Sequence, residues 1–157
     1  MVYVAQQPML VGLTLPLYAV NFPIENHSTP LIDTLIAVLA CLGIAIAAKA
    51  DSQLYAYMTA KRRGDGVSLV LRTGLWKYSR HPNYFGEQLW WWSLALFGCV
   101  SGHCWTIIGT AFNSAIMWHV TRLTENRMMN DKKRRKEFQK YCDVTSMWIP
   151  WWTKQEK

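Results

Sequence analysis

The chain has 157 residues, a mass of 18.2 kDa and a formal net charge of +7, with 51% hydrophobic and 13% aromatic residues. That length allows one domain, residues 1–157, and its apolar and aromatic share exceeds that of an average soluble domain. A mean hydropathy of −0.01 averages apolar blocks with strongly basic ones. The lack of a GxGxxG, a P-loop or a nucleophile elbow excludes a soluble dinucleotide fold.

Residues 1–24 carry no charge. They lack a basic n-region and a small-residue cleavage site, and Pro16 interrupts them, so they read as part of the mature chain rather than a signal peptide. Asn26, His27 and Ser28 form a sequon between membrane ends with Pro30 close behind, where little or no glycosylation is expected. Residues 31–50 contain only Asp33 and Lys49 as charges, and either block is long enough to cross a bilayer. Gly64, Asp65 and Gly66 are a turn signal. A third apolar block, 84–100, runs through Trp90, Trp91 and Trp92 and carries Glu87. A fourth, 105–120, carries Asn113 and His119. The expected fold is an all-α, polytopic membrane helix bundle of about four transmembrane helices.

Charge placement favours this over four core helices of a soluble protein. Of the 17 Lys and Arg residues, all but Lys49 lie either in 61–83 or after residue 120, and the connections 21–30 and 101–104 have none. An even number of crossings puts the basic loop 61–83 and the basic tail 121–157 on one face, which the positive-inside rule assigns to the cytoplasm. Cys41, Cys99, Cys104 and Cys142 are scattered without paired spacing and read as free thiols.

The densest polar information is RTGLWKYSRHPNYFGE, residues 72–87. Pro82 suits a first helical turn, and Glu87 near that end complements the helix dipole. Free backbone donors there, with Arg72, Lys77 and Arg80 nearby, make a phosphate-binding surface. The same cations can instead reach lipid headgroups, with Trp76, Tyr78 and Tyr84 as interfacial aromatics, and the residues alone do not choose. After the fourth block, TENRMMNDKKRRKEFQKYC has helical composition and spaces Arg122 with Glu125, and Asp131 with Arg135, for same-face pairing. An unpaired Glu125 near the membrane boundary would be costly, so it is expected to pair with a cation or hold a polar ligand. The run 132–136, beside a span, reads as a contact for anionic membrane lipids and not for nucleic acid. Cys99, His103, Cys104 and His119 match no zinc spacing, so no metal is assigned.

GLWKYSRHPNYFGE, with Glu125, Asn126, Arg127 and Met128 downstream and then Tyr141 and Trp148, Ile149 and Pro150, resembles the C-terminal half of the steroid 5-alpha-reductase-like membrane proteins. The resemblance starts near Leu15, Pro16 and Leu17. It implies NADPH held at the cytoplasmic ends of the helices and reduction of a carbon-carbon double bond conjugated to a carbonyl in a lipid-like or steroid-like substrate. It implies cofactor-binding roles for Trp76, Arg80, His81, Asn83, Tyr84, Glu87, Glu125 and Tyr141, and residence in the endoplasmic reticulum. No catalytic acid is assigned. Where many relatives carry Gln-Lys and a basic residue four positions on, this chain has Gln53, Leu54 and Met58, leaving Lys61, Arg62 or Arg63 to substitute. Relatives also have further N-terminal helices that complete the substrate pocket. A shortened form is therefore expected, with an oligomer or a partner as one source of the missing helices. Two other classes stay open. One is a membrane methyltransferase of the isoprenylcysteine or phospholipid type using S-adenosylmethionine, disfavoured by the single Glu125. The other is a catalytically silent protein that binds lipid or a partner.

Overall fold

The computed structural model describes residues 2–22, 29–151 and 153. The sequon at Asn26, His27 and Ser28 and most of the 151–157 end lie outside the described residues. The fold is all-helical, with no strand among the described residues: α1 Val2–Asn21, α2 Pro30–Arg63, α3 Pro82–Val100, α4 Ile107–Asn130 and α5 Arg135–Val144. The four apolar blocks fall on α1 to α4. By length and composition α2 qualifies as a membrane-crossing helix, and Leu10–Asn21 of α1 is a shorter apolar segment. The chain forms two compact units, Met1–Ile44 with Glu87–Trp118 and Ala45–Gly86 with His119–Lys157.

In the first unit, α1 and α4 meet at two glycines. Pro16 has no N–H to offer the carbonyl of Gly12 four residues back. Gly109 of α4 packs its Cα against that freed carbonyl, where a Cβ on Gly109 would collide with the Gly12 backbone and stand 2.9 Å from its Cα. A weak Cα–H···O contact is the favourable element of so close an approach. Further along, Pro16 and Thr106 both crowd Gly98 of α3. On α2 the buried positions Ile36, Ala40, Gly43 and Ala50, with half-buried Ala47 between the last two, recur every three to four residues and form one stripe. The polarity of α4 is reversed relative to a water-soluble helix. Thr110, Asn113, Thr121 and Glu125 are buried, while Ile108, Phe112, Trp118, Val120 and Leu123 are exposed.

In the second unit, α2 runs through Lys61, Arg62 and Arg63, so the irregular part of the basic loop begins at Gly64. That glycine has φ of 80° and closes a Schellman motif: Asp65 N donates to Ala60 O at 3.2 Å and Gly64 N to Lys61 O at 3.3 Å. Pro82 opens α3, as its missing N–H allows. The helical stretch expected across 124–142 is broken after Asn130. Asp131 turns the chain by accepting Lys133 N on its side chain at 2.9 Å, and Arg134 N and Arg135 N on its carbonyl. Its ion-pair partner is consequently Arg134, at 3.4 Å, and not the expected Arg135. Phe138 and Tyr141 of α5 pack with Val70 as a small core, flanked by Met128, Met129 and Cys142.

Alanine at Gly109 must push the α1 backbone aside, whereas at Gly12 its Cβ meets Gly109 Cα at 3.2 Å, a contact a small shift relieves. Thermal unfolding in detergent should therefore show Gly109→Ala destabilised by about 1–3 kcal/mol and Gly12→Ala by less. Equal, small losses would show that the helices do not cross there.

Candidate functional site

The site is built on a stretch of chain with almost no regular structure, 70–81, which the rest of the second unit holds by hydrogen bonds. Trp76 Nε1 donates to Ala50 O of α2 at 3.1 Å, and Leu75 N donates to Gln53 Oε1 at 3.0 Å. The C-terminal segment runs alongside: Arg80 N donates to Ser146 O at 2.9 Å, His81 N to Met147 O at 3.0 Å and Trp151 N to Tyr78 O at 3.0 Å. Ser79, fully buried, donates to Trp148 O at 2.6 Å. Trp148 Nε1 donates to Thr121 Oγ1 of α4 at 3.0 Å. The Tyr141 hydroxyl reaches the carbonyls of Trp76 and Ser79. Burial pushes the Tyr141 phenol up from its ordinary value, so it remains a neutral donor.

Glu125 joins α4 to this stretch. Its carboxylate accepts Arg80 Nε at 2.8 Å on one oxygen and Arg80 Nη2 at 3.3 Å on the other, while His81 Nε2 lies 3.1 Å from the first. Arg80 Nη1 donates to Thr145 O at 2.6 Å and Cys142 O at 3.2 Å. Four of the five guanidinium N–H groups are thus occupied by protein. Burial acts to raise the Glu125 carboxyl, but hydrogen bonds from His81 and Arg80 and the charge of Arg80 outweigh it and hold it below its ordinary value. The Tyr84 ring stacks on His81 at 5.2 Å between centroids, with a 10° tilt.

A cavity of about 200 Å³ opens here. Trp76, Arg80, His81, Asn83, Tyr84 and Tyr141 line it, together with Leu54, Tyr57 and Met58 of α2 and Arg134 and Phe138. Of the eight residues singled out from the sequence, six therefore share one cavity, and Glu125 bonds to two of them from behind. Glu87 belongs to the first unit, where it accepts from Trp91 Nε1 at 3.4 Å. Lys61, a candidate phosphate contact, is engaged with Tyr57 Oη at 3.0 Å and Leu69 O at 3.1 Å. Arg62 and Arg63 are exposed at the end of α2.

Asn83 is the site's unsatisfied group. Its Nδ2 donates to Asp51 Oδ1 at 3.0 Å, which fixes the orientation of the amide, and its buried Oδ1 has no hydrogen-bond partner among the described residues. Sequence reasoning missed Asp51 because a lone carboxylate on α2 gives no signal until the fold brings it beside Asn83. The apolar wall of Leu54 and Met58 was visible only as a departure from the pattern of relatives.

Residues 1–145 match the family DUF1295, described as "Protein of unknown function (DUF1295)". The chain belongs to the DUF1295 family. It is a steroid 5-alpha-reductase-like family. An uncharacterized protein of Schizosaccharomyces pombe is 43% identical over 56 residues, covering 34% of this DUF1295 chain and 16% of the yeast protein. The chain thus matches only a small part of that relative's length. No solved structure matches it.

The depressed Glu125 pKa carries a pH dependence with a definite sign. The folded value lies below the ordinary 4.5, so the stabilisation is complete above that pH and is lost as pH falls through the folded value. Glu125→Gln should cost about 1.5–3 kcal/mol at neutral pH and flatten the fall in melting temperature on the acid side. An unchanged acid slope in Glu125→Gln would assign the titration to another group.

Proposed function

We propose that this DUF1295 chain is a multi-pass membrane oxidoreductase that binds NADPH in its second unit and reduces a double bond conjugated to a carbonyl in a lipid-like or steroid-like substrate. The observation that carries the cofactor reading is Asn83 Oδ1. A buried acceptor without a donor costs about 1–3 kcal/mol, and a ligand bearing an N–H group removes that cost. The carboxamide of a nicotinamide is such a group. Trp76, Tyr84 and Tyr57 line the cavity with aromatic rings and Leu54 and Met58 with an apolar wall, surroundings that suit an uncharged flat ring. At about 200 Å³ the cavity lies below the usual range of roughly 300–1,000 Å³ for whole-ligand pockets, so it suits one end of a dinucleotide and not all of it. NADPH bound there would supply hydride to the substrate's beta carbon. The chain's own contribution is to bind and orient: Asn83 as acceptor, Trp76 and Tyr84 as walls, and Arg80, His81 and Glu125 as the brace that keeps those walls in place.

The membrane reading rests on charge and on inverted burial. Each large apolar side chain left in water forgoes about 1.5–3 kcal/mol. Exposed Leu31, Leu35, Val38, Leu42 and Ile44 on α2, and Ile108, Phe112 and Trp118 on α4, favour lipid as the solvent. At 1.5 Å per residue the 34 residues of α2 extend about 50 Å, longer than the roughly 30 Å hydrocarbon core, so its last turns stand clear of the lipid. We place the basic loop and tail in the cytoplasm and the protein in the endoplasmic reticulum, with four crossings.

S-adenosylmethionine also presents N–H donors to Asn83, but it is a cation at this site, and Glu125 is already paired with Arg80 and His81. The test is binding of NADPH and of S-adenosylmethionine by the full chain in detergent, with Asn83→Ala as control. NADPH should bind, about fivefold more weakly to the variant, one ordinary hydrogen bond. Binding of S-adenosylmethionine alone would move the protein to the methyltransferases. Folded protein that binds neither would leave a catalytically silent lipid- or partner-binding protein.

A further inference from the structure

The connection between α3 and α4 brings two cysteines together. α3 ends in a Schellman motif: Gly102 has φ of 85°, its N–H donates to Cys99 O at 3.0 Å, and His103 N donates to Gly98 O at 2.9 Å. That turn folds Cys104 back over the end of α3, where its Sγ lies 3.9 Å from the Cys99 carbonyl oxygen and against the Cys99 side chain. The turn is held from behind. Thr106, fully buried, donates to His103 O at 2.9 Å and packs on Gly98. Cys104 is exposed and Cys99 half-buried, and among the described residues no third histidine, cysteine or carboxylate joins them as a metal-ligand set. Five residues apart, the two carry no pairing signal in sequence, and the turn supplies it.

We propose that Cys99 and Cys104 are a thiol pair that exchange with a small-molecule disulfide converts to an intramolecular bridge. Cys104, as thiolate, attacks one sulfur of the incoming disulfide, whose S–S bond breaks and releases one thiol. Cys99, as thiolate, then attacks the Cys104 sulfur of the mixed disulfide and displaces the second thiol. The two cysteines give up two electrons and two protons, and the two released thiols carry both away. The order follows from burial, since the incoming disulfide must reach the first sulfur and the second need reach only its neighbour. The bridge ties the end of α3 to the segment that leads into α4, at the turn where Pro16 and Thr106 pack on Gly98. With the basic loop and tail in the cytoplasm, four crossings put this connection in the lumen, where disulfides persist. That placement rests on the proposed topology, and the chemistry of the pair does not.

The test takes the full chain, reduced and purified in detergent, through incubation with glutathione and glutathione disulfide, then blocks free thiols with N-ethylmaleimide and maps them by mass spectrometry. The parent should yield a peptide spanning Cys99 and Cys104 that is two hydrogens lighter and carries no maleimide. Cys99→Ser should trap glutathione on Cys104, an adduct that the parent resolves. A parent that keeps glutathione on Cys104 as fully as Cys99→Ser does would overturn the proposal. So would a parent that bridges to Cys41 or Cys142 instead, or that keeps both thiols, and these two readings need no variant to fold. The lumenal placement is read separately, in sealed microsomes. A membrane-impermeant maleimide should reach Cys104 of Cys99→Ser only after permeabilisation, and labelling of Cys104 in sealed vesicles would overturn the topology while the first measurement still decides the pair.

Discussion

The second unit depends on one carboxylate. Glu125 lies on α4 and Arg80 and His81 lie 45 and 44 residues earlier. Both point at it from a segment with little hydrogen bonding of its own. Removing two charges from water is costly, and the pair is retained only where further hydrogen bonds complete it. Here they do. The remaining guanidinium donors reach the carbonyls of Cys142 and Thr145 at the end of α5, so one ion pair fastens α4, the 70–81 stretch and the C-terminal segment together. His81 then carries Tyr84 on its ring face, and the cavity wall follows from that stack.

The inner face of α4 is where a soluble helix would keep its leucines, and it holds threonines, an asparagine and a glutamate instead. Each of these can be accommodated only against another protein group, because a buried polar group without a partner is costly. Ser114 of α4, like Thr106 just before the helix, is satisfied by a carbonyl within its own turn, a local solution that leaves the helix free to pack closely. Asn113 Nδ2 has no such partner among the described residues.

The helices were legible because their signals are local. The charge-free 1–24, the nearly charge-free 31–50, the Pro82 start and the Gly64 stop all appear in α1 to α3 as their residues imply. The break after Asn130 was not read, since 124–142 has helical composition and only the Asp131 side chain, capping backbone two residues on, tips the balance. At the site, the motif identified the residues lining the cavity but not their use. Arg80 looks like a phosphate ligand in sequence, yet four of its donors close on the protein. Glu87, four residues after Asn83 on α3, accepts from Trp91 Nε1. Sequence distance says which residues share a turn, and it does not say which bonds a guanidinium has already made.

That accounting of cations bears on what the cavity can hold. A pyrophosphate needs charge-assisted donors that are free to turn toward it. Among the described lining residues the cations are Arg80, which is occupied, and Arg134, whose Nε is 3.4 Å from Asp131. Leu54 and Met58 complete a wall with no charge to give. The exposed Arg62, Arg63, Lys132 and Lys133 lie in solvent, where long flexible side chains meet phosphate at little cost in desolvation. The division is physically coherent: a neutral ring is favoured where the wall is apolar and Asn83 waits for a donor, and phosphate, whether of a cofactor or of a lipid headgroup, is favoured where the cations are solvated. Inside the cavity Arg80 has one guanidinium donor left for a phosphate, and freeing more of them would open the Glu125 brace that holds the cavity wall.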